Sequence, residues 1–287
     1  MTSQVGVVGL GRMGMAMAER FAETGLTVIG TDVSQATLDR AAEAGIQTAQ
    51  DSLAVIKQVD VVVLSLPTAN DVKLTLDGLP DENLGRELFV IDTTTSDPLV
   101  TKELAAKLEP AGIHLLDAPV SGGFFGARAG TLGMMVGGQA SHLDRVRDLL
   151  SRIAGKIVHM GPIGSGHATK LLNNLLGAAN MVVASEIVEL GEYLGLAPAD
   201  LISALNAGTA RNSATELNYP KWILSDKFDS GFTMRLMRKD VALADQLLRA
   251  KGNLPVLTDV ASIWEQSKPS VADDADFNKI TQFHPSK

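Results

Sequence analysis

Residues 4–21 read QVGVVGLGRMGMAMAERF: a short apolar run, a glycine-rich turn and a helical pattern in immediate succession. The turn, GLGRMG at 9–14, matches G-x-G-x-x-G, a weak signal alone that becomes informative when it follows a strand and opens a helix. In that setting Gly9 permits the tight turn, Gly11 lets the backbone approach a pyrophosphate, and Gly14 lets helix and strand pack closely. Leu10, Arg12 and Met13 complete the turn, and the first N–H groups of the helix face the anion. The alternative is a glycine-rich turn that holds no ligand.

Outward from this turn the pattern repeats. Strand-like runs fall at 26–32, 60–66, 88–92 and 113–117, rich in Val, Ile and Leu without strict alternation. Strands buried on both faces have that composition. Helical patterns, as at 13–24 and 35–44, lie between them, so an α/β fold with a mainly parallel, doubly wound sheet is expected. Two more strands are expected at 131–138 and 156–161, with a helix at about 141–153. After GPIGSG (161–166) no convincing strand follows, and helical periodicity covers 167–194, 198–206, 213–224 and 235–251. The expected division is a dinucleotide-binding domain over 1–163 and an all-helical domain over 164–287. The polar tail from about 268 is expected to be poorly ordered.

Composition narrows the function. A chain of 287 residues is long enough for two domains, and 45% hydrophobic content supplies their interiors. The net charge of −8, with no basic run, argues against a nucleic-acid partner. There is no cysteine, which excludes disulfides, a thiol nucleophile and thiolate metal sites and fits a reducing compartment. The N-terminus lacks a basic leader, and Arg12 interrupts its apolar run. No stretch reads as the roughly 20 apolar residues of a membrane span, because Asn173, Asn174, Asn180 and Glu186 interrupt the best one. A cytoplasmic protein without a membrane partner is expected. Its five histidines lack zinc-site spacing, so no metal is expected.

Asp32 ends the second strand, at the distance from the glycine turn where an acidic residue accepts bonds from the ribose hydroxyls of NAD and repels the extra phosphate of NADP. No arginine follows it, so NAD is expected over NADP. The other reading of Asp32 is a helix cap or turn residue. Ligands of open parallel sheets bind beyond the carboxyl ends of the strands. SLPTAND (65–71), DTTTSDP (92–98) and DAPVSGG (117–123) occupy that position. In the last, Ser121, Gly122 and Gly123 offer a hydroxyl and unshielded N–H groups, a nest suited to a carboxylate. For each of these loops the alternative is a turn held by its own side chains.

SGHATKLLNN (165–174) opens a long apolar helix. Lys170, Asn173, Asn174 and Gly177 share one face at i, i+3, i+4 and i+7, a face expected to border a crevice between domains. Desolvation and a neighbouring cationic nicotinamide would both disfavour the ammonium form of Lys170 and fit it to act as a general base. Asn174 can hold a substrate hydroxyl or orient the lysine, and Gly177 leaves room. The plain alternative is a solvated lysine.

Taken in order, GLGRMG, DTTTSDP, DAPVSGGFFGARAGTL, GSGHATKLLNN and FTMRLMRKD resemble the successive motifs of the β-hydroxyacid dehydrogenase family, over essentially residues 4–250. The resemblance implies a Rossmann domain joined by a long helix to an all-helical domain, and a homodimer or homotetramer. It implies that Lys170 is catalytic, that Asn174 contacts substrate and that Ser121, Gly122 and Gly123 bind the substrate carboxylate. Thr95, Lys239, Leu66 and Pro67 map to residues that approach the cofactor.

The implied reaction is hydride transfer between NAD and a small β-hydroxy carboxylate such as 3-hydroxyisobutyrate, with Lys170 as general acid or base. Alternatives are a reductase of the same family acting on tartronate semialdehyde, succinic semialdehyde or glyoxylate, an imine reductase (which typically lacks the lysine), and a non-catalytic dinucleotide-binding interaction module. Phe124 and Phe125, and GTARNSA at 208–214, depart from the family pattern at places that can shape the substrate pocket.

Overall fold

The computed structural model describes residues 3–82 and 84–284. Its first part alternates strands and helices in the order β1 (Gln4–Val8), α1 (Arg12–Glu23), β2 (Thr27–Thr31), α2 (Gln35–Glu43), β3 (Gln47–Thr48), α3 (Ser52–Ile56), β4 (Val61–Leu64), α4 (Ala69–Leu76), β5 (Leu88–Asp92), α5 (Pro98–Leu108), β6 (Ile113–Asp117), β7 (Val120–Ser121), α6 (Gly123–Ala129), β8 (Leu132–Gly137), α7 (Ala140–Leu150) and β9 (Ala154–Gly161). The strands form one sheet ordered β3-β2-β1-β4-β5-β6-β8-β7, with β9 also on β8. Pairing is parallel from β3 to β6 and between β8 and β9, and antiparallel where β8 meets β6 and β7. This is the expected doubly wound Rossmann sheet, with two short strands, β3 and β7, that apolar patterning does not reveal.

Successive strand residues face opposite sides of a sheet, so a strand covered on both sides needs apolar residues throughout. Val61, Val63, Phe89 and Ile91 enter one buried cluster with Met17 and Phe21 of α1. Their neighbours Val62, Leu64, Leu88 and Val90 enter a second cluster with Leu104 and Leu108 of α5. That arrangement explains the unalternating runs in the sequence.

The second part holds α8 (Ser165–Tyr193), α9 (Pro198–Ala207), a π-helix (Ala214–Ile223), α10 (Met234–Lys251) and α11 (Pro255–Gln266). The chain divides into two compact units inside α8, one running to Lys170 and the other starting at Leu171, just beyond the glycine-rich hinge where the sequence is expected to divide. In the helical unit Leu171, Leu175, Ala178 and Val182 of α8 share a core with Trp264 and Ile280. The buried indole of Trp264 donates to the Ala178 carbonyl at 3.3 Å. The segment expected at 213–224 is helical but of π type and contains Pro220, which has no N–H to donate.

Two expectations are corrected here. The tail is seated as far as Gln282: a 3₁₀ turn at Phe277–Gln282 places Ile280 in the core, and buried Asn278 accepts from Asn218 at 2.7 Å. A few apolar residues and one satisfied amide suffice to seat a polar segment. Second, α8 is by length and composition apolar enough to cross a membrane, with a window of mean hydropathy 1.4, despite the amides within it. Half of that window is buried inside the protein, where the apolar face serves the helical core.

Candidate functional site

The register of the parallel strands determines what meets at the sheet's carboxyl edge. Thr31 pairs with Val8, Val8 with Leu64, Leu64 with Asp92, and Asp92 with Asp117. The loops that follow these five residues therefore emerge in one row. They are the glycine turn and the segments carrying Asp32, Leu66 and Pro67, Thr95, and Ser121.

In the turn, a Cβ on Gly14 would lie 1.8 Å from the carbonyl oxygen of Gly9, so any side chain there would break it. At Gly11, the N-cap of α1, a Cβ would meet nothing within 4 Å, so the backbone stands open to a ligand. The first turn of α1 carries no acidic residue and includes exposed Arg12. Unshielded N–H groups, a bare glycine and a nearby guanidinium fit a pyrophosphate. Leu10 and Met13 contribute through their backbone: the Leu10 side chain is fully buried and that of Met13 packs on the core.

Asp32 accepts from the Leu10 N–H at 2.8 Å and the Ser34 N–H at 2.9 Å. It is thus a turn residue that braces the glycine loop, and a carboxylate with two such bonds retains acceptor capacity for ribose hydroxyls. Of three successive threonines, Thr93 donates to the Leu64 carbonyl and Thr94 accepts from the Leu66 N–H, both buried. Thr95 is half-buried, and Pro67 is exposed beside Leu66, which packs partly on the core. Ser121 ends β7 with a half-buried side chain, and Gly122 and Gly123 follow it exposed. Phe124 packs on the sheet core with the guanidinium carbons of Arg12 and Arg128 at 5.6 Å and 5.9 Å from its ring centre, whereas Phe125 is 70% exposed.

The start of α8 is held by a residue that no sequence motif marks for this role. Asp117, fully buried at the end of β6, accepts from the N–H groups of Gly164 at 2.8 Å and His167 at 2.7 Å. The His167 ring is hydrogen-bonded to Thr101 of α5 at 2.8 Å. Gly166 must be glycine, because a Cβ there would lie 2.4 Å from the Met135 carbonyl oxygen. GSGHATK is thus the sequence of a helix start clamped to the sheet edge, and half-buried Lys170 stands one turn beyond the clamp.

Burial pushes the Asp117 carboxyl up to about 6, against the pull of the amides that favour its charged form. Because the folded value lies above the ordinary one, the unfolded chain binds fewer protons between about pH 4 and 6. This carboxyl therefore favours the folded state at low pH, and that contribution is lost as pH rises through about 6. Asp117→Asn removes the titration and adds only a pH-independent cost. The difference in unfolding free energy, wild type minus variant, is expected to fall by roughly 2 kcal/mol between pH 4 and 7. Denaturant unfolding across that range measures it, and a difference that rises with pH would contradict the burial penalty.

In the helical unit, Asn174 is 7% exposed and engaged on two sides. Its oxygen accepts from the Asn173 amide at 3.0 Å, and its nitrogen donates to Asp240 at 2.6 Å. The other oxygen of buried Asp240 lies 3.4 Å from the Lys239 ammonium. The lysine–aspartate pair of FTMRLMRKD is therefore a positioning unit, in which Asp240 orients both Asn174 and Lys239. The only signal for Asp240 in the sequence is its adjacency to Lys239. A second amide hydrogen on Asn174 remains for a ligand. Segment 208–214 leads into the π-helix, where Asn212 accepts from the Ala214 N–H at 2.9 Å.

Comparison with known proteins gives the following. Residues 4–161 match the model described as the NAD binding domain of 6-phosphogluconate dehydrogenase, and residues 164–284 match that of the NAD-binding of NADP-dependent 3-hydroxyisobutyrate dehydrogenase. The chain is 34% identical to 2-(hydroxymethyl)glutarate dehydrogenase of Eubacterium barkeri, over 88% of this chain and 84% of that one. It is 31% identical to the mitochondrial 3-hydroxyisobutyrate dehydrogenase of Bos taurus, over 97% and 86% of the two chains. The structure of Mycobacterium tuberculosis 3-hydroxyisobutyrate dehydrogenase with L-serine superposes with a TM-score of 0.90 at 32% identity, covering 98% of this chain and 99% of the other.

Proposed function

The chain belongs to the β-hydroxyacid dehydrogenase family and is an NAD(P)-dependent dehydrogenase, and from that premise we propose that it oxidises a 2-substituted 3-hydroxypropanoate with NAD. The names of the relatives support the substrate class. 2-(Hydroxymethyl)glutarate, 3-hydroxyisobutyrate and serine share a hydroxymethyl group on the carbon that bears a carboxylate. The observation that supports the mechanism is the Asp117–His167 clamp, which holds the helix start at the carboxyl edge of the sheet one turn before Lys170.

Bound NAD supplies the hydride acceptor. Lys170 takes the proton of the substrate hydroxyl as the C–H hydride leaves the same carbon, which becomes the aldehyde. In the reverse direction Lys170 returns that proton. Asn174, one turn further along the helix and oriented by Asp240, holds the hydroxyl oxygen through its second amide hydrogen. Ser121 and the N–H groups of Gly122 and Gly123 receive the carboxylate. Thr95, Leu66 and Pro67 would line the cofactor, a role the family resemblance also gives to Lys239. A panel of hydroxy acids, and of the semialdehydes and glyoxylate in the reverse direction, tests this assignment. Turnover confined to glyoxylate or an unbranched semialdehyde would overturn the substrate class.

The preference for NAD rests on Asp32, whose carboxylate would meet the 2′-phosphate of NADP. Replacing Asp32 with a small neutral residue and Val33 with Arg is expected to raise kcat/KM for NADP and lower it for NAD. A wild-type preference for NADP would refute the role given to Asp32.

A homo-oligomer is supported by one stripe of α8. Leu172, Leu176, Val183, Ile187 and Leu190 recur at helical spacing and are each 41–61% exposed. Light scattering is expected to give the mass of a dimer or tetramer, and a monomer at micromolar concentration would remove this reading.

A further inference from the structure

Away from the cofactor turn, at the amino edge of the sheet, the fold brings His142 to Glu109 and His114, which lie five residues apart. His114 is the second residue of β6, Glu109 begins the 3₁₀ turn (Glu109–Ala111) that enters this strand, and His142 lies in the first turn of α7. One ligand atom from each falls within 4.8 Å of the other two. We propose that Glu109, His114 and His142 bind one divalent transition-metal ion, with zinc the cation their donor set suits.

His114 hydrogen-bonds to Glu109 and Glu87, and the separations within the cluster approach those of a coordination site. Zinc bound at about 2.0–2.2 Å in a tetrahedron has donors roughly 3.3–3.6 Å apart. Nδ1 of His114 already lies 3.2 Å from Oε1 of Glu109. Nε2 of His142 lies 3.9 Å from the same oxygen, too far for a hydrogen bond and close to a tetrahedral edge. The imidazole ring centres lie 4.1 Å apart with their planes tilted by 39°, so the proposal requires His142 to move its nitrogen toward the shared oxygen.

A metal-ligating histidine usually donates its other ring N–H to a carboxylate, which fixes ring orientation and tautomer. Here Nε2 of His114 lies 3.2 Å from Glu87, and the second oxygen of Glu87 lies 3.3 Å from Arg145. Gln139 reaches Glu109 at 3.4 Å. Both histidine side chains are mostly shielded (11% and 15% exposed), while Glu109 at 42% leaves a way in. Two imidazoles and one carboxylate favour zinc or its later transition-metal neighbours over magnesium or calcium, which prefer oxygen donors. With a water as fourth ligand, the ion would tie β6, the end of α5 and α7 together. It lies at the opposite end of β6 from Asp117, so its role is to brace the domain, with no part in hydride transfer.

The test uses the full-length, tag-free protein, stripped with chelator and then titrated with zinc chloride by calorimetry. One zinc per chain is expected, with a thermal midpoint that rises on binding. Glu109→Gln and His142→Ala are each expected to weaken binding by at least about tenfold, and Glu87→Gln by about 10- to 100-fold. Dehydrogenase activity of Glu109→Gln and His142→Ala is expected to match wild type, which shows that they are folded. Cobalt chloride in place of zinc is expected to give visible absorption of a four-coordinate site. Should His142→Ala fail to fold, half-exposed Glu109 still decides the matter. Zinc that binds equally well to wild type and Glu109→Gln, or that binds no more tightly than magnesium chloride, overturns the proposal.

Discussion

Lys170→Ala is expected to lower kcat by about 100- to 10,000-fold, the range over which general acid–base groups contribute, while NAD affinity stays within a few-fold of wild type. The expectation follows from where the lysine stands. The helix start is held by the Gly164 and His167 amides on Asp117, and neither of these bonds involves the Lys170 side chain. Lys170 is half-buried, so its truncation leaves the clamp and the core of the sheet domain in place. The variant should therefore fold, bind cofactor and fail in the proton-transfer step. Fluorescence titration with NAD and steady-state turnover separate these effects. A variant that kept more than roughly a tenth of kcat would remove Lys170 from the role of general base.

The second large effect concerns what the Ser121–Gly123 segment reads. A carboxylate leaving water needs several donors to offset its desolvation. Hydrogen bonds to charged groups contribute about 1.5–3 kcal/mol each, so two of them correspond to roughly 100- to 10,000-fold in kcat/KM. A 3-hydroxy acid is therefore expected to exceed the matching diol, with its carboxylate reduced to an alcohol, by at least about 100-fold. Ser121→Ala is expected to reduce kcat/KM for the acid by about 10- to 100-fold and to leave the diol nearly unaffected. Ser121 is a cleaner probe than Gly123, whose φ of +62° would strain any side chain placed there. Comparable kcat/KM for acid and diol on the wild type would show that this segment does not recognise a carboxylate.

The extent to which the site is readable from the sequence depends on the range of the interactions involved. Lys170 and Asn174 are legible because four residues on a helix make one turn, and GLGRMG because its glycines meet steric demands within a single turn. The partners that orient these residues are not legible in the same way. Asp117 reaches the amide of His167 across 50 positions, and Asp240 reaches Asn174 across 66. Both aspartates fall within quoted motifs, DAPVSGG and FTMRLMRKD, but no local pattern gives either one its distant partner.

By itself the sequence determined the architecture of the first half, since Val-, Ile- and Leu-rich runs between helical patterns can be buried only as strands covered on both faces. It also determined the steric demands of the glycine turn and which residues share the face of α8 that carries Lys170. Tertiary structure alone decided that β8 turns antiparallel, that the polar tail docks through Ile280 and Asn278, and that His114, His142 and Glu109 converge. The physical reason is common to all three. Each depends on a pairing between segments distant in the chain, whose energy appears only when the chain has closed the intervening loops and buried both partners, and no local periodicity encodes it.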